Sequence, residues 1–135
     1  MKIVLDTNIL LVCISKHSEL RWIFDRFLDE SYTLCVTTEI MAEYEEILER
    51  FMGHDLASTI LQIIENAPNV ELVTTYYAWN LIHEDPDDNK FVDCAIACNA
   101  KYLVSHDRHY KVLKTISFPI VEVISAVHFK TILER

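Results

Sequence analysis

Short apolar runs alternate with longer helical patterns along this chain, and that alternation restricts its fold more than any other feature. The first run, Ile3-Val4-Leu5, stops on an acid, Asp6. Thr7 and Asn8 follow as turn and helix-starting residues, and Ile9-Leu10-Leu11-Val12 resumes the apolar pattern. Strands are expected at about 2–6, 33–37, 70–74, 102–105 and 119–123. Helices are expected at about 8–15, 19–30, 38–52, 55–66, 89–100, 108–114 and 125–134. Strands alternating with helices imply a parallel sheet covered on both faces. The expected class is therefore α/β, a three-layer α/β/α sandwich around a parallel sheet of roughly five strands. No linker, repeat or low-complexity segment interrupts the 135 residues, so 1–135 is read as one domain with room for a core.

Composition removes several classes of function. Apolar residues make up 51% of the chain, which excludes a disordered one. No apolar run reaches the roughly 20 residues of a membrane span, and Lys2 leads directly into a strand rather than a secretion signal. Cys13, Cys35, Cys94 and Cys98 show no spaced framework, so buried reduced thiols in a cytoplasmic protein are expected. Cys94 and Cys98 could form half a zinc site, but no matching pair stands at finger-like spacing elsewhere. Gly53 is the only glycine, which excludes a dinucleotide fingerprint and a phosphate-cradling P-loop. The net charge of −9 argues against a broad basic surface for nucleic acid. It leaves room for clustered carboxylates that bind divalent cations.

The acids at strand ends carry the chemistry. Ligands of open parallel sheets bind beyond the carboxyl ends of the strands. Asp6 stands at such an end, and Asp107 follows the strand-like Tyr102-Leu103-Val104-Ser105 two residues later. One such Asp is most often a turn former or helix cap; two at matching positions require a closer look. The helix after the second strand opens with Thr37-Thr38 and Glu39 and carries an apolar stripe of Ile40, Met41, Tyr44, Ile47 and Leu48. Glu43 and Glu45 flank that stripe on opposite sides, and periodicity does not choose between them. Glu46 and Glu49 point away.

Further along, Glu84-Asp85-Pro86-Asp87-Asp88-Asn89 forms an acidic loop whose Asp88 could cap the next helix. That helix, with Phe91, Val92, Cys94, Ala95, Ile96, Ala97 and Cys98, is apolar almost all round and therefore expected to be buried. Asp93 lies inside it with no evident partner. An unpaired buried carboxylate costs several kcal/mol, so it is expected to be paired, protonated or on a metal. Asp6, Asp93 and Asp107, with Asp88 and one helix glutamate, make a set of oxygen ligands for hard cations. No Ser-His-Asp arrangement competes. Carboxylates around such cations suit phosphodiester cleavage, in which metals orient and activate water and stabilise the leaving oxygen.

On these residues the sequence resembles the PIN-domain nucleases, in particular the VapC-like bacterial branch of toxin components of toxin–antitoxin pairs. The matching motifs are Val4-Leu5-Asp6-Thr7-Asn8, the stretch from Thr38 to Leu48, the stretch from Asp85 to Ala97, and Tyr102-Leu103-Val104-Ser105-His106-Asp107. They fall in the family's order over nearly the whole chain. The resemblance implies a PIN-like sheet between helices and a ribonuclease dependent on Mg2+ or Mn2+ that leaves 5′-phosphate and 3′-hydroxyl ends. It assigns catalytic and metal-holding roles to Asp6, Glu43, Asp93 and Asp107, and a further metal or supporting role to Asp88. Thr7 and Asn8 support the first acid, and Ser105 takes the place of a more usual threonine before the last. His109 and Tyr110 stand where the branch often has an acid and a leucine.

Arg108, Lys111 and Lys114 recur at helical spacing beyond the site and are candidates for substrate phosphates, although a solvated helix face explains them equally well. The partners in view are an RNA substrate, an antitoxin protein and a second copy of the chain, with no membrane. Two alternatives stay open. One is a catalytically silent PIN-fold module that binds RNA or protein. The other is an acidic-pocket phosphohydrolase with Asp6 as nucleophile, against which Asn8 stands where a second acid is usual.

Overall fold

The structure, a computed structural model, describes residues 1–135. Its strands are β1 (Lys2–Leu5), β2 (Thr33–Val36), β3 (Val70–Leu72), β4 (Tyr102–Val104) and β5 (Val123–Ile124). The α-helices are α1 (Thr7–Ile14), α2 (Arg21–Leu28), α3 (Thr38–Met52), α4 (His54–Asn66), α5 (Asn89–Ala97) and α6 (Ala126–Leu133). Two 3₁₀ segments, Pro86–Asp88 and Arg108–Thr115, lie beside the ends of α5 and β4. All strands pair in parallel in the order β3-β2-β1-β4-β5, with Ile3 opposite Leu34 on one side and Leu5 opposite Val104 on the other.

That order carries a functional consequence. From β1 the chain runs outward through β2 to β3, then returns to the other side of β1 for β4 and β5. Right-handed crossovers therefore carry α1–α4 and α5 over opposite faces of the sheet. The direction of winding reverses between β1 and β4, and the crevice outside the carboxyl ends of those two strands is the switch point where α/β sheets place ligands. Ile3, Val4, Leu5, Leu34, Cys35, Val36, Leu103 and Val104 are almost completely buried because helices cover both faces. All four cysteines are free and buried. No helix is long and apolar enough to cross a membrane.

Local chemistry fixes the long helical hairpin. Thr37 caps α3, its Oγ1 accepting from the Ile40 N–H at 3.1 Å, and Glu39 adds favourable charge to the first turn. Gly53 ends α3 and begins α4 with φ 86° and ψ 163°, a conformation open essentially only to glycine. A Cβ there would meet nothing within 4 Å, so the requirement is backbone conformation and not space.

Three expectations need correcting. The last strand is Val123–Ile124 and not 119–123: Phe118 and Ile120 are 79% exposed, so their apolar character marks a loop on the surface. The expected helix at 108–114 is a 3₁₀ segment, Arg108–Thr115. Asp88 precedes α5 without a side-chain capping bond; Asp85 does the capping one turn earlier, its Oδ1 accepting from the Asp87 N–H at 3.2 Å.

Candidate active site

The site is assembled from the switch point outward. The Asp6 N–H donates to the Val104 carbonyl at 3.1 Å, so the chain leaving β1 stays tied to β4. The Asp6 side chain is buried, and Ser105 Oγ donates to its Oδ2 at 2.7 Å. Ser105 Oγ in turn accepts from the Asp107 N–H at 2.9 Å, which links the two strand-end acids through one hydroxyl. Burial pushes the Asp6 carboxyl above its usual range; the bonds from Ser105 and the Thr7 backbone oppose this, and the charges of Asp107 and Glu43 add to it. Asp107 Oδ1 accepts from the His109 N–H at 2.9 Å and so caps the 3₁₀ segment.

Glu43 is delivered by α3. The Tyr44 hydroxyl, fully buried, donates to the Leu5 carbonyl at 2.6 Å and pins α3 to the end of β1. The preceding residue then faces the switch point. Thr7 Oγ1 donates to Glu43 Oε2, and Lys90 Nζ holds Oε1 at 2.7 Å in a pair that is about four-fifths buried. The neighbouring glutamates turn elsewhere. Glu45 lines a groove with Met41, Leu61 and Leu72, Glu46 pairs with Arg50, and Glu49 with His54.

Asp88 arrives from the opposite side, at the end of the first 3₁₀ segment. It is 8% exposed, and its Oδ2 has no hydrogen-bond partner. Burial, then the charges of Asp107, Asp85 and Asp6, push its carboxyl up to about 6, against a smaller lowering by the His109 ring. Tyr110 closes the floor. Its ring is 1% exposed and its hydroxyl also lacks a partner. Burial pushes that phenol far above its usual range, and the negative fields of Asp6, Asp88, Asp107 and Glu43 act in the same direction. The fields of these four acids therefore all reach the Tyr110 hydroxyl.

Asp93 does not join them. It sits five residues after Asp88, about 140° further round a helix of 3.6 residues per turn. It is half-buried, and its Oδ1 accepts from the Trp79 N–H at 3.2 Å. It lines a separate groove of about 430 Å³ with Thr37, Glu39, Tyr76, Tyr77 and Lys90. Burial raises its carboxyl, the Trp79 bond lowers it, and the charge acting on it is Glu39, from outside the four. Its expected want of a partner is met by the coil between β3 and α5, which covers that side of the helix.

Asn8 is exposed and makes no hydrogen bond to Asp6; the support expected of it comes from Ser105. Arg108, Lys111 and Lys114 are exposed and line a groove with Ser105 and Asp107. Because residues three apart eclipse one another in a 3₁₀ helix, they form a straight row leading away from the acids.

Four further residues shape the site that sequence periodicity did not single out: Glu84, Asp85, Lys90 and His109. Their partners lie across turns or across 47 residues, as in Lys90–Glu43, where no repeat reports contact. The His109 ring lies between two acids, Nδ1 3.4 Å from Asp88 Oδ2 and 3.3 Å from Asp107 Oδ1, with Nε2 3.5 Å from Glu84 Oε2. Asp85, Asp88 and His109 each offer a ligand atom within 4.8 Å of the others, the only such group of His, Cys, Asp or Glu in the chain. Cys98 lies in hydrogen-bonding reach of Cys94 and of Cys35, but the three thiols do not all fall within that spacing.

The donor set fits a hard divalent cation. It is mainly carboxylate oxygen, its members repel one another without a counter-charge, and it contains buried polar atoms, Asp88 Oδ2 and the Tyr110 hydroxyl, that nothing in the chain satisfies.

Comparison with known proteins agrees with this architecture. The chain is similar in structure to VapBC2 from Rickettsia felis bound to a DNA fragment from their promoter, with TM-score 0.64, 21% identity, and coverage of 93% of this chain and 98% of that one. It is similar to VapC20 of Mycobacterium tuberculosis, described as a sarcin-ricin loop cleaving toxin, with TM-score 0.62, 14% identity, and coverage of 90% and 98%. The PIN domain endonuclease Utp24 aligns with TM-score 0.55, 17% identity, and coverage of 92% and 84%. No curated protein sequence matches. The sequence model of the PIN domain matches residues 2–109, which include Asp6, Glu43, Asp88 and Asp107, and the chain belongs to the PIN domain family.

Proposed function

We propose that this protein is an endoribonuclease that hydrolyses RNA phosphodiester bonds with Mg2+ or Mn2+, and that it acts as the toxin of a toxin–antitoxin pair. The observation that carries this reading is the Tyr110 hydroxyl, buried without a partner in the fields of Asp6, Glu43, Asp88 and Asp107. Those four carboxylates would hold the cation. Bound there, it supplies the positive charge that activates water and offsets charge on the leaving oxygen.

The chain's own residues prepare the site. Ser105 donates to Asp6 Oδ2 and leaves Oδ1 free of that donor, while Thr7 and Lys90 hold the two oxygens of Glu43. Lys90 offsets one negative charge at Glu43, which limits repulsion among the proposed ligands. Arg108, Lys111 and Lys114 would contact successive phosphates and position the strand without reading bases. An antitoxin partner is supported by the VapBC complexes of similar fold. Cleavage of a mixed RNA pool with Mn2+, with EDTA and with the Asp6→Asn variant tests the proposal. Metal-dependent cuts that vanish in EDTA and in Asp6→Asn are expected. Cleavage that persisted in EDTA would overturn it.

A further inference from the structure

His109 occupies a position that an acidic metal cluster does not need and that its hydrogen bonding does not explain. Nδ1 is buried yet without a hydrogen-bond partner, and so is Asp88 Oδ2, 3.4 Å away. An imidazolium serving as counter-ion would point an N–H at one oxygen at about 2.8 Å, as charge-assisted bonds do. Here the ring nitrogen stands instead at nearly equal distances from two carboxylates, 3.4 Å from Asp88 and 3.3 Å from Asp107. Donors bound about 2.0–2.2 Å from one cation lie roughly 3.0–3.5 Å apart, so this spacing suits ligands that share an ion.

The other face of the ring fits the same use. Nε2 lies 3.5 Å from Glu84 Oε2. A carboxylate on that side favours the tautomer with its proton on Nε2 and leaves the Nδ1 lone pair for a metal, the arrangement common to metal-binding histidines. Asp85 completes the group, and Asp88, 92% buried and with a free oxygen, belongs to both this group and the four-acid cluster.

We propose that Asp85, Asp88 and His109 Nδ1 form a mixed nitrogen–oxygen cation position beside the four-carboxylate cluster, sharing Asp88 with it, and that this position selects a first-row transition ion such as Mn2+ over Mg2+. The inference rests on the metal-nuclease reading for its setting. Its chemical reason is that imidazole is a better donor to transition ions than to Mg2+, which prefers oxygen and retains its water.

The test is Mn2+ binding to the full chain followed by electron paramagnetic resonance, with pulsed detection of directly coordinated ¹⁴N. The wild type is expected to show one nitrogen coupling. His109→Gln is expected to lose it and to bind Mn2+ at least about tenfold more weakly, with Mg2+ affinity changed far less. Asp85→Asn should weaken Mn2+ while keeping the nitrogen signal, and circular dichroism of each variant checks its fold. Mn2+ bound without nitrogen coupling, equal loss for both metals in His109→Gln, or no Mn2+ binding would each overturn the proposal. Its failure is distinct from failure of the nuclease reading. RNA cleavage that needs Asp6 and metal but shows no nitrogen coupling removes only the mixed site. A nitrogen-coupled Mn2+ in a chain that cuts no RNA removes only the nuclease.

Discussion

Asp88 and Asp93 differ by one turn and a half of chain and by everything that matters to their chemistry. Asp88 presents a buried oxygen without a partner to three other acids, whereas the Asp93 carboxylate caps the Trp79 N–H on the other side of α5. Asp88→Asn should therefore reduce RNA cleavage by at least about 100-fold, the scale expected when a group acting directly on the reacting charge is lost. In Asp93→Asn the amide oxygen still accepts the Trp79 N–H, so cleavage should stay within about twofold of wild type, as for substitutions away from special features. Single-turnover cleavage of one labelled RNA by both variants checks this, and equal loss in both would restore Asp93 to the site. Asp88 also gives the metal-free protein a pH dependence. Its carboxyl moves from an ordinary 3.8 to about 6 in the folded chain, so folding favours the protonated form. Stability is then greatest below pH 4 in this respect and declines as pH rises toward 6.5. Full linkage for such a shift is about 3 kcal/mol, and solvent at the rim reduces the expectation to about 1–2 kcal/mol. Urea unfolding in EDTA across pH 4–7.5 should show this decline, and Asp88→Asn should make it shallower, leaving the shares of Asp6 and Asp93, whose carboxyls burial also raises. Asp6, Asp107 and Asp88 were legible as candidates because each follows a strand or precedes a helix, whereas Glu43, inside α3, was separated from Glu45 only by the family resemblance. Which of Asp88, just before α5, and Asp93, inside it, faces the site was not, because the coil that partners Asp93 has no periodicity to announce it.

At the level of elements, legibility follows burial. β1, β2 and β4 are covered on both faces and appear in the sequence as plain apolar runs. The segment from Ser117 to Glu122 breaks that rule, since its apolar Phe118 and Ile120 face solvent. The row of Arg108, Lys111 and Lys114 depends on the same kind of detail: at α-helical spacing it would spiral away, while in the 3₁₀ segment it stays in line. The sharpest element-scale prediction concerns the α3–α4 hinge. Gly53→Ala adds a methyl group that meets no neighbour, so any cost must come from the backbone at φ 86°. Destabilisation of about 1–3 kcal/mol is expected, read as a lower denaturant midpoint with an unchanged slope. Glu43 lies near the start of α3, ten residues from that hinge, so cleavage per folded molecule should be unaffected. A variant as stable as wild type would show that the hinge adopts another conformation.

The whole molecule presents an electrostatic problem to its proposed substrate. A chain of net charge −9 repels a polyanion at long range, and Asp6, Glu43, Asp88 and Asp107 add negative field at the proposed site. Lys90 offsets one of them, and the basic row stands to one side. Without metal, RNA affinity should therefore be poor, and it should fall less steeply with salt than for a basic protein, because few phosphates are neutralised. Mn2+ or Mg2+ adds charge at the pocket itself, so binding and cleavage should appear at the same metal concentration. Ca2+, with longer and looser coordination, should support binding while supporting cleavage poorly. Replacing Lys111 and Lys114 together with Gln should weaken binding alike for all RNA sequences and reduce the salt slope by about 1–1.5 for single strands. Fluorescence anisotropy with a labelled RNA, run across the three metals and EDTA beside a cleavage assay, measures all of these. Asp6→Asn supplies the control, since it removes a carboxylate while leaving the basic row in place. Should RNA bind the metal-free protein as tightly as the loaded one, the cation would not be what brings strand and acids together. A silent binding module would then describe the molecule better than a nuclease.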